Sequence, residues 1–115
     1  MNISEYMTEA HATAVEKGWW QDGDRNFGEQ IALMHSELSE ALEHYREYGL
    51  DPKFMMFDDG DFDPVKPDGI AVEFADLLIR LFDTCERYHI PLESALQVKM
   101  KYNKTRPFRH NNKLA

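Results

Sequence analysis

Cysteine is almost absent from this chain of 115 residues. The single thiol, Cys85, excludes an intrachain disulfide and a thiolate metal cluster, and its place in an apolar run marks it as a small core residue. Long apolar runs are missing too, so no segment approaches the length needed to span a bilayer. Positive charge is scarce: 13 Lys and Arg stand against 21 Asp and Glu, a formal net charge of −8. That balance disfavours a nucleic-acid polymer as partner, because neutralising a phosphate backbone takes an excess of Lys and Arg. A small phosphorylated molecule stays open, since a bound cation reverses the local sign. The opening Met1-Asn2-Ile3-Ser4-Glu5 is polar and lacks a signal-peptide pattern. The expectation is a cytoplasmic protein with no membrane attachment. No internal repeat or low-complexity segment appears.

What is present fits one soluble domain over residues 1–115, 43% hydrophobic and 30% charged, with room for a modest core. Four helical patterns follow one another. The first covers residues 2 to 17, with Asn2 and Glu5 as a capping box and Gly18 as a stop. The second runs from 27 to 48, opened by Asn26 and Glu29 and ended by Gly49 and Pro52. At 100° per residue, Ile31, Met34, Leu38, Ala41, Leu42 and Tyr45 form its apolar stripe, with Gln30, Glu37, Glu40 and His44 along the flank. The third opens near Pro67-Asp68-Gly69 and continues to about Tyr88, with a predicted core stripe of Ile70, Phe74, Leu77, Leu78, Leu81 and Cys85. Its other side carries Ala75, Ile79 and Phe82. A helix apolar on nearly every side is buried on several sides, which four short helices can hardly provide, so a subunit interface is expected there. The fourth helix starts at Pro91. The predicted fold is all-α, a helical bundle completed by homo-oligomerisation into a homodimer or homotetramer.

The chemistry concentrates on two acidic i, i+3 pairs, Glu37 with Glu40 and Glu73 with Asp76. Such pairs on two helices can converge four carboxylates on one small volume, where they repel unless protons or a cation intervene. A hard divalent cation with oxygen ligands suits that set. Solvated surface glutamates are the plainer explanation, which Glu43 and Glu47 fit better. The acidic stretch from Asp58 to Asp63 fails the calcium-loop template, because the sixth and twelfth positions counted from Asp59 hold Pro64 and Ile70. It is expected to be a mobile or partner-packed loop.

Two further features bear on binding. Trp19 and Trp20 either close one end of the core or offer a flat wall to a nucleobase. Five of the 13 Lys and Arg fall between Lys99 and Arg109. Cations there suit a helix C-terminus, yet their concentration in an acidic chain reads more like an anion clamp. Lys99, Asn103 and Arg106 share one helical face, with Arg80 on the third helix as a further member.

These residues resemble the MazG-like, all-α nucleoside triphosphate pyrophosphohydrolases, whose signature is Glu-x-x-Glu on one helix and Glu-x-x-Asp on the next. Here it reads Glu37-Leu-Ser-Glu40 and Glu73-Phe-Ala-Asp76, flanked by Ile31-Ala-Leu-Met-His-Ser-Glu37 and Ala75-Asp76-Leu-Leu-Ile-Arg80. Lys99-Met-Lys-Tyr-Asn103-Lys-Thr-Arg106-Pro107 is similar to the family's basic tail. The resemblance spans about residues 26 to 113. The chain departs from the pattern in its longer separation between Glu40 and Glu73, and in Asn111-Asn112-Lys113 where the family has a Gly-Gly-Lys-like end. Both departures bear on substrate choice. The resemblance implies that Glu37, Glu40, Glu73 and Asp76 hold Mg²⁺ (or Mn²⁺) and are catalytic. It also implies that Gln30, Arg80, Lys99, Asn103, Arg106, Trp19 and Trp20 bind a nucleoside triphosphate. Water would attack the α-phosphorus, giving a nucleoside monophosphate and pyrophosphate. Asp83 is a further ligand, an orienting group, or simply the partner of Arg80.

Two other readings compete. A non-catalytic helical module, assembling through the third helix or holding a metal, needs no clamp. A di-iron carboxylate bundle wants Glu-x-x-His on two helices, and only Glu86-Arg-Tyr-His89 has that spacing.

Overall fold

The computed structural model describes residues 1–58, 60 and 65–108. Among them four helices dominate: α1 (Ile3–Glu16), α2 (Phe27–Tyr48), α3 (Ile70–Arg87) and α4 (Leu92–Thr105). The expected caps form. Asn2 Oδ1 accepts the Glu5 amide at 2.8 Å while Glu5 returns to the Asn2 amide at 3.1 Å, the reciprocal pair that satisfies two orphan helix donors. Asn26 caps α2 through the Glu29 amide at 2.9 Å. The α1 end turns on Gly18, at φ +85°, and the Trp19 amide returns to the Ala14 carbonyl. No helix among the described residues is long and apolar enough to cross a membrane.

Between α2 and α3 the described residues include short regular structure. A 3-10 turn spans Pro52–Phe54, and β1 (Phe57–Asp58) pairs antiparallel with β2 (Pro67–Asp68), Phe57 opposite Asp68. The acidic residues 59, 61 and 63 lie outside the described residues. Gly69 then leads into α3 at φ +118°, where a Cβ would sit 2.4 Å from the Met55 carbonyl oxygen. Only glycine fits that conformation and that approach. The Ala71 amide bonds the same carbonyl at 2.9 Å, fixing the start of α3.

α3 is the central element, packed against both α1 and α2. On its α1 side, Phe82 and Cys85 are buried with Met7, and Ile3, Ala10, Leu81, Ile90 and Leu92 close around them. Phe82, expected at a subunit interface, is thus a core residue of the single chain. On the α2 side the helices run antiparallel: Glu37 meets Arg80, and His44, two turns on, meets Glu73, two turns back. The buried face of α2 is Gln30, Met34, Glu37 and Ala41. Ile31, Leu38, Leu42 and Tyr45 of the predicted core stripe face solvent, as do Phe74 and Leu78 of α3. The correction has a physical cause: the polar flanks of α2 and α3 face each other, so part of each apolar stripe turns outward, while Met34, Ala41 and Cys85 stay buried. α4 packs on α1, partly through Ser4 donating to Glu93 at 2.8 Å, and has no buried residue.

Candidate metal centre

The antiparallel packing of α2 on α3 brings the two acidic pairs together. Carboxylate oxygens of Glu37, Glu73 and Asp76 lie within 4.8 Å of one another, and Glu40 is near enough to Glu73 to share a proton with it. Glu37 and Glu73 are buried, Asp76 is half-buried and Glu40 is exposed. The cluster therefore opens to solvent on its Glu40 side and is closed beneath.

Concentrated negative charge shows in the acidities. Burial, then a hydrogen bond to Glu40, then repulsion from Glu40, Asp76 and Glu37 push the Glu73 carboxyl up to about 8. Burial and the Glu37 and Glu40 charges also raise Asp76, while Arg80 and Lys66 pull it down. Glu73 Oε2 is buried with no hydrogen-bond donor in reach. A buried carboxylate oxygen without a donor, among carboxylates that repel, fits a hard cation with oxygen ligands.

Arg80 lies at the cluster. Its Nε donates to Glu37 Oε1 at 2.8 Å, and its guanidinium also lies over the Trp19 ring, 6.0 Å from the centroid. Arg25 approaches that ring at 5.8 Å. Trp19 is 53% exposed, so an aromatic face borders the acidic site with cations beside it. Trp20 differs: it is buried, its indole N–H donates to Asp83 at 3.0 Å, and Arg87 packs on its face at 4.9 Å. Trp20 therefore closes the core, and Trp19 is the ring available to a ligand. An open cleft of about 540 Å³ runs beside it, lined by Gly18, Asp22, Asp24, Arg25 and Glu29 among others.

Asp83 is committed elsewhere. It pairs with His11 Nδ1 at 2.7 Å and with Trp20, not with Arg80, and so ties the α1–α2 connection to α3. The connection is latched twice more, by Arg87 to Asp24 and by the Tyr88 hydroxyl to the Arg25 carbonyl, each at 2.8 Å. Gln30 is buried two turns before Glu37, its Nε2 without a hydrogen-bond partner. Lys99 and Asn103 are exposed on α4, and Lys99 and Arg106 lie against the Tyr102 ring at 5.0 and 5.8 Å. Among the described residues neither cation forms an ion pair with the carboxylate cluster of its own chain. Arg109 and Asn111-Asn112-Lys113 lie outside the described residues.

Three neighbours were not singled out as ligands by sequence reasoning. His44 Nε2 approaches Asp68 Oδ1 at 2.8 Å and Glu73 Oε1 at 3.4 Å, and Lys66 is close enough to act on Asp76. The flank position of His44, one turn after Glu40, was a signal. Asp68 and Lys66 gave none, because their placement depends on the β1–β2 ladder. Comparison of the chain with family models, curated proteins and solved structures finds no match.

Proposed function

We propose that the chain is a metal-dependent nucleoside triphosphate pyrophosphohydrolase of the MazG-like kind, acting in nucleotide housecleaning or pool control. The carrying observation is the convergence of Glu37, Glu40, Glu73 and Asp76 on one site, with a buried Glu73 oxygen that no donor satisfies. These four residues would hold Mg²⁺ or Mn²⁺. A cation of this kind supplies an activated water and neutralises charge on the attacked phosphoryl group.

The chain's own groups account for the remaining tasks. Arg80, held by Glu37, orients that carboxylate and presents its remaining guanidinium N–H groups at the rim of the site. Trp19, exposed beside Arg80 and Arg25, offers a π-face on which a nucleobase can stack. The basic end of α4 would hold the outer phosphates, which sets the α-phosphorus over the carboxylates and favours release of intact pyrophosphate. This reading includes a homodimer or homotetramer in which a second copy covers the outward apolar residues of α2 and α3.

The di-iron reading loses support from the backbone: His89 stands past the end of α3 at φ +55°, so Glu86 and His89 do not share a helix face. The test of the hydrolase reading is product analysis with a γ-labelled nucleotide panel and Mg²⁺. Labelled pyrophosphate is expected. Labelled orthophosphate as first product would place the scissile bond elsewhere, and no turnover on any triphosphate would favour the non-catalytic module.

A further inference from the structure

Beside the carboxylate cluster lies a second group of ligand-type atoms with a different chemistry. His44 Nε2, an oxygen of Asp68 and an oxygen of Glu73 lie within 4.8 Å of one another. His44 Nε2 stands 2.8 Å from Asp68 Oδ1 and 3.4 Å from Glu73 Oε1. Donors bound to one ion at about 2.1 Å are separated by about 3.0 Å in an octahedron and about 3.4 Å in a tetrahedron. The separations of His44 Nε2 from the two carboxylate oxygens are compatible with donors around a common centre.

Hydrogen bonding alone satisfies this group poorly. With its proton on Nε2, His44 offers one N–H to two carboxylates. With its proton on Nδ1, an imidazole lone pair faces two carboxylate oxygens, an arrangement that repels unless a cation lies between. Nδ1 itself is buried without a partner in either tautomer, so it does not decide between them. Glu73, shared by both groups, adds a sign of a missing positive charge. It is 8% exposed, it belongs to the cluster, and its Oε2 has no hydrogen-bond partner.

The surroundings hold these atoms in place. Tyr48 stacks on the His44 ring at 6.0 Å and Phe57 meets its edge at 6.4 Å. Asp68 is set by its pairing with Phe57 across the ladder, and its Oδ1 accepts the Gly69 amide at 2.8 Å. An apolar wall of this kind keeps a ligating imidazole oriented and limits solvent access.

We infer that His44, Asp68 and Glu73 form a second divalent-cation site, selective for a borderline transition-metal ion such as Zn²⁺ and sharing Glu73 with the all-carboxylate cluster. Imidazole is a poor ligand for Mg²⁺ and a good one for Zn²⁺, so the two neighbouring sites differ in preference. This inference uses Glu73 of the proposed Mg²⁺ site but does not require the hydrolase reading.

The test uses the full chain, ¹⁵N-labelled at histidine, titrated with Zn²⁺ in the Asp76→Asn background. That substitution weakens the carboxylate cluster and leaves all three proposed ligands intact. One equivalent of Zn²⁺ is expected to bind and to shift the His44 Nε2 resonance. Adding His44→Gln should weaken that binding at least about tenfold, the lower end of what even an orienting group costs a metal site. Zn²⁺ shifting only other histidines, or binding within about twofold as tightly after His44→Gln, would overturn the site. Should His44→Gln fail to fold, the resonance shift with His44 present decides alone. Zn²⁺ at His44 in a protein that hydrolyses no triphosphate would overturn the hydrolase reading and leave this one standing.

Discussion

At the scale of single residues, Glu73 is the most informative group. Its carboxyl is raised to about 8 in the folded chain, by burial first and by its acidic neighbours after that. A raised folded value means that the native state binds more protons than the unfolded state between the ordinary carboxylate range and about 8. Stability from Glu73 is therefore fully present below its unfolded pKa and is lost as pH rises through about 8. With a chelator present, the melting temperature is expected to fall between pH 5 and 8.5, and Glu73→Gln should flatten that fall. An unchanged slope in Glu73→Gln would contradict the assignment. Added Mg²⁺ should also flatten it, because the cation replaces the proton. Glu40→Gln keeps the helix and the side-chain volume while removing one of the repelling charges. It is expected to abolish turnover yet leave the metal-free protein as stable as wild type or more so. Full turnover in Glu40→Gln, or in excess EDTA, would show that the cluster holds no catalytic metal. The two tryptophans should separate cleanly. Trp19→Ala is expected to raise KM with little loss of stability, whereas Trp20→Ala empties a buried site and should cost about 3–5 kcal/mol in denaturant melts.

At the scale of elements, the helices and caps were legible because their signals are local: Asn2 with Glu5, Asn26 before a 3.6-residue pattern, Gly18 and Gly49 after one. The acidic pairs were legible because i, i+3 spacing fixes them on a helix face whatever the partner. The direction of each helix's burial was not legible. Periodicity locates an apolar stripe but not which neighbour covers it, so Leu38 and Leu42 read as core yet are exposed, while the single chain buries Met34 and Ala41 of that stripe with Gln30 and Glu37 of its flank. Phe82 misled in the opposite sense, because the face it shares with Cys85 is covered by α1 through Met7. Asp68 escaped notice because only the ladder and the close approach of Gly69 to Met55 bring it to His44. The placement of Phe82 carries its own consequence. Phe82→Ala should destabilise the fold by about 3–5 kcal/mol, the cost of a core cavity. A purely interfacial Phe82 would instead change the size of the particle and leave the unfolding free energy of the dissociated chain unaltered.

At the scale of the whole molecule, the described residues leave large apolar side chains exposed. Much of the exposed apolar surface lies on α2 and α3, at Ile31, Leu38, Leu42, Tyr45, Phe74 and Leu78, and more lies along α4. Light scattering at micromolar concentration is expected to give a dimer or tetramer, and Leu38→Glu should dissociate it. A monomeric wild type would contradict the assembly. The position of α4 sharpens the expectation. Lys99 and Arg106 form no ion pair with the carboxylate cluster of their own chain among the described residues, and on the homo-oligomer reading a clamp made from them acts on a second copy. The two parts of the site can then be damaged separately. Glu40→Gln leaves the basic tail intact, and Arg106→Gln leaves the carboxylates intact. Mixed and reassembled in equal amounts, two chains that are each nearly inactive should recover about a quarter of wild-type kcat/KM, because half of the dimers formed at random carry one undamaged site of two. Activity no greater than the mean of the two separate variants would show that the tail and the cluster do not meet across an interface. In that case the cations of α4 are no more than favourable charges at a helix C-terminus.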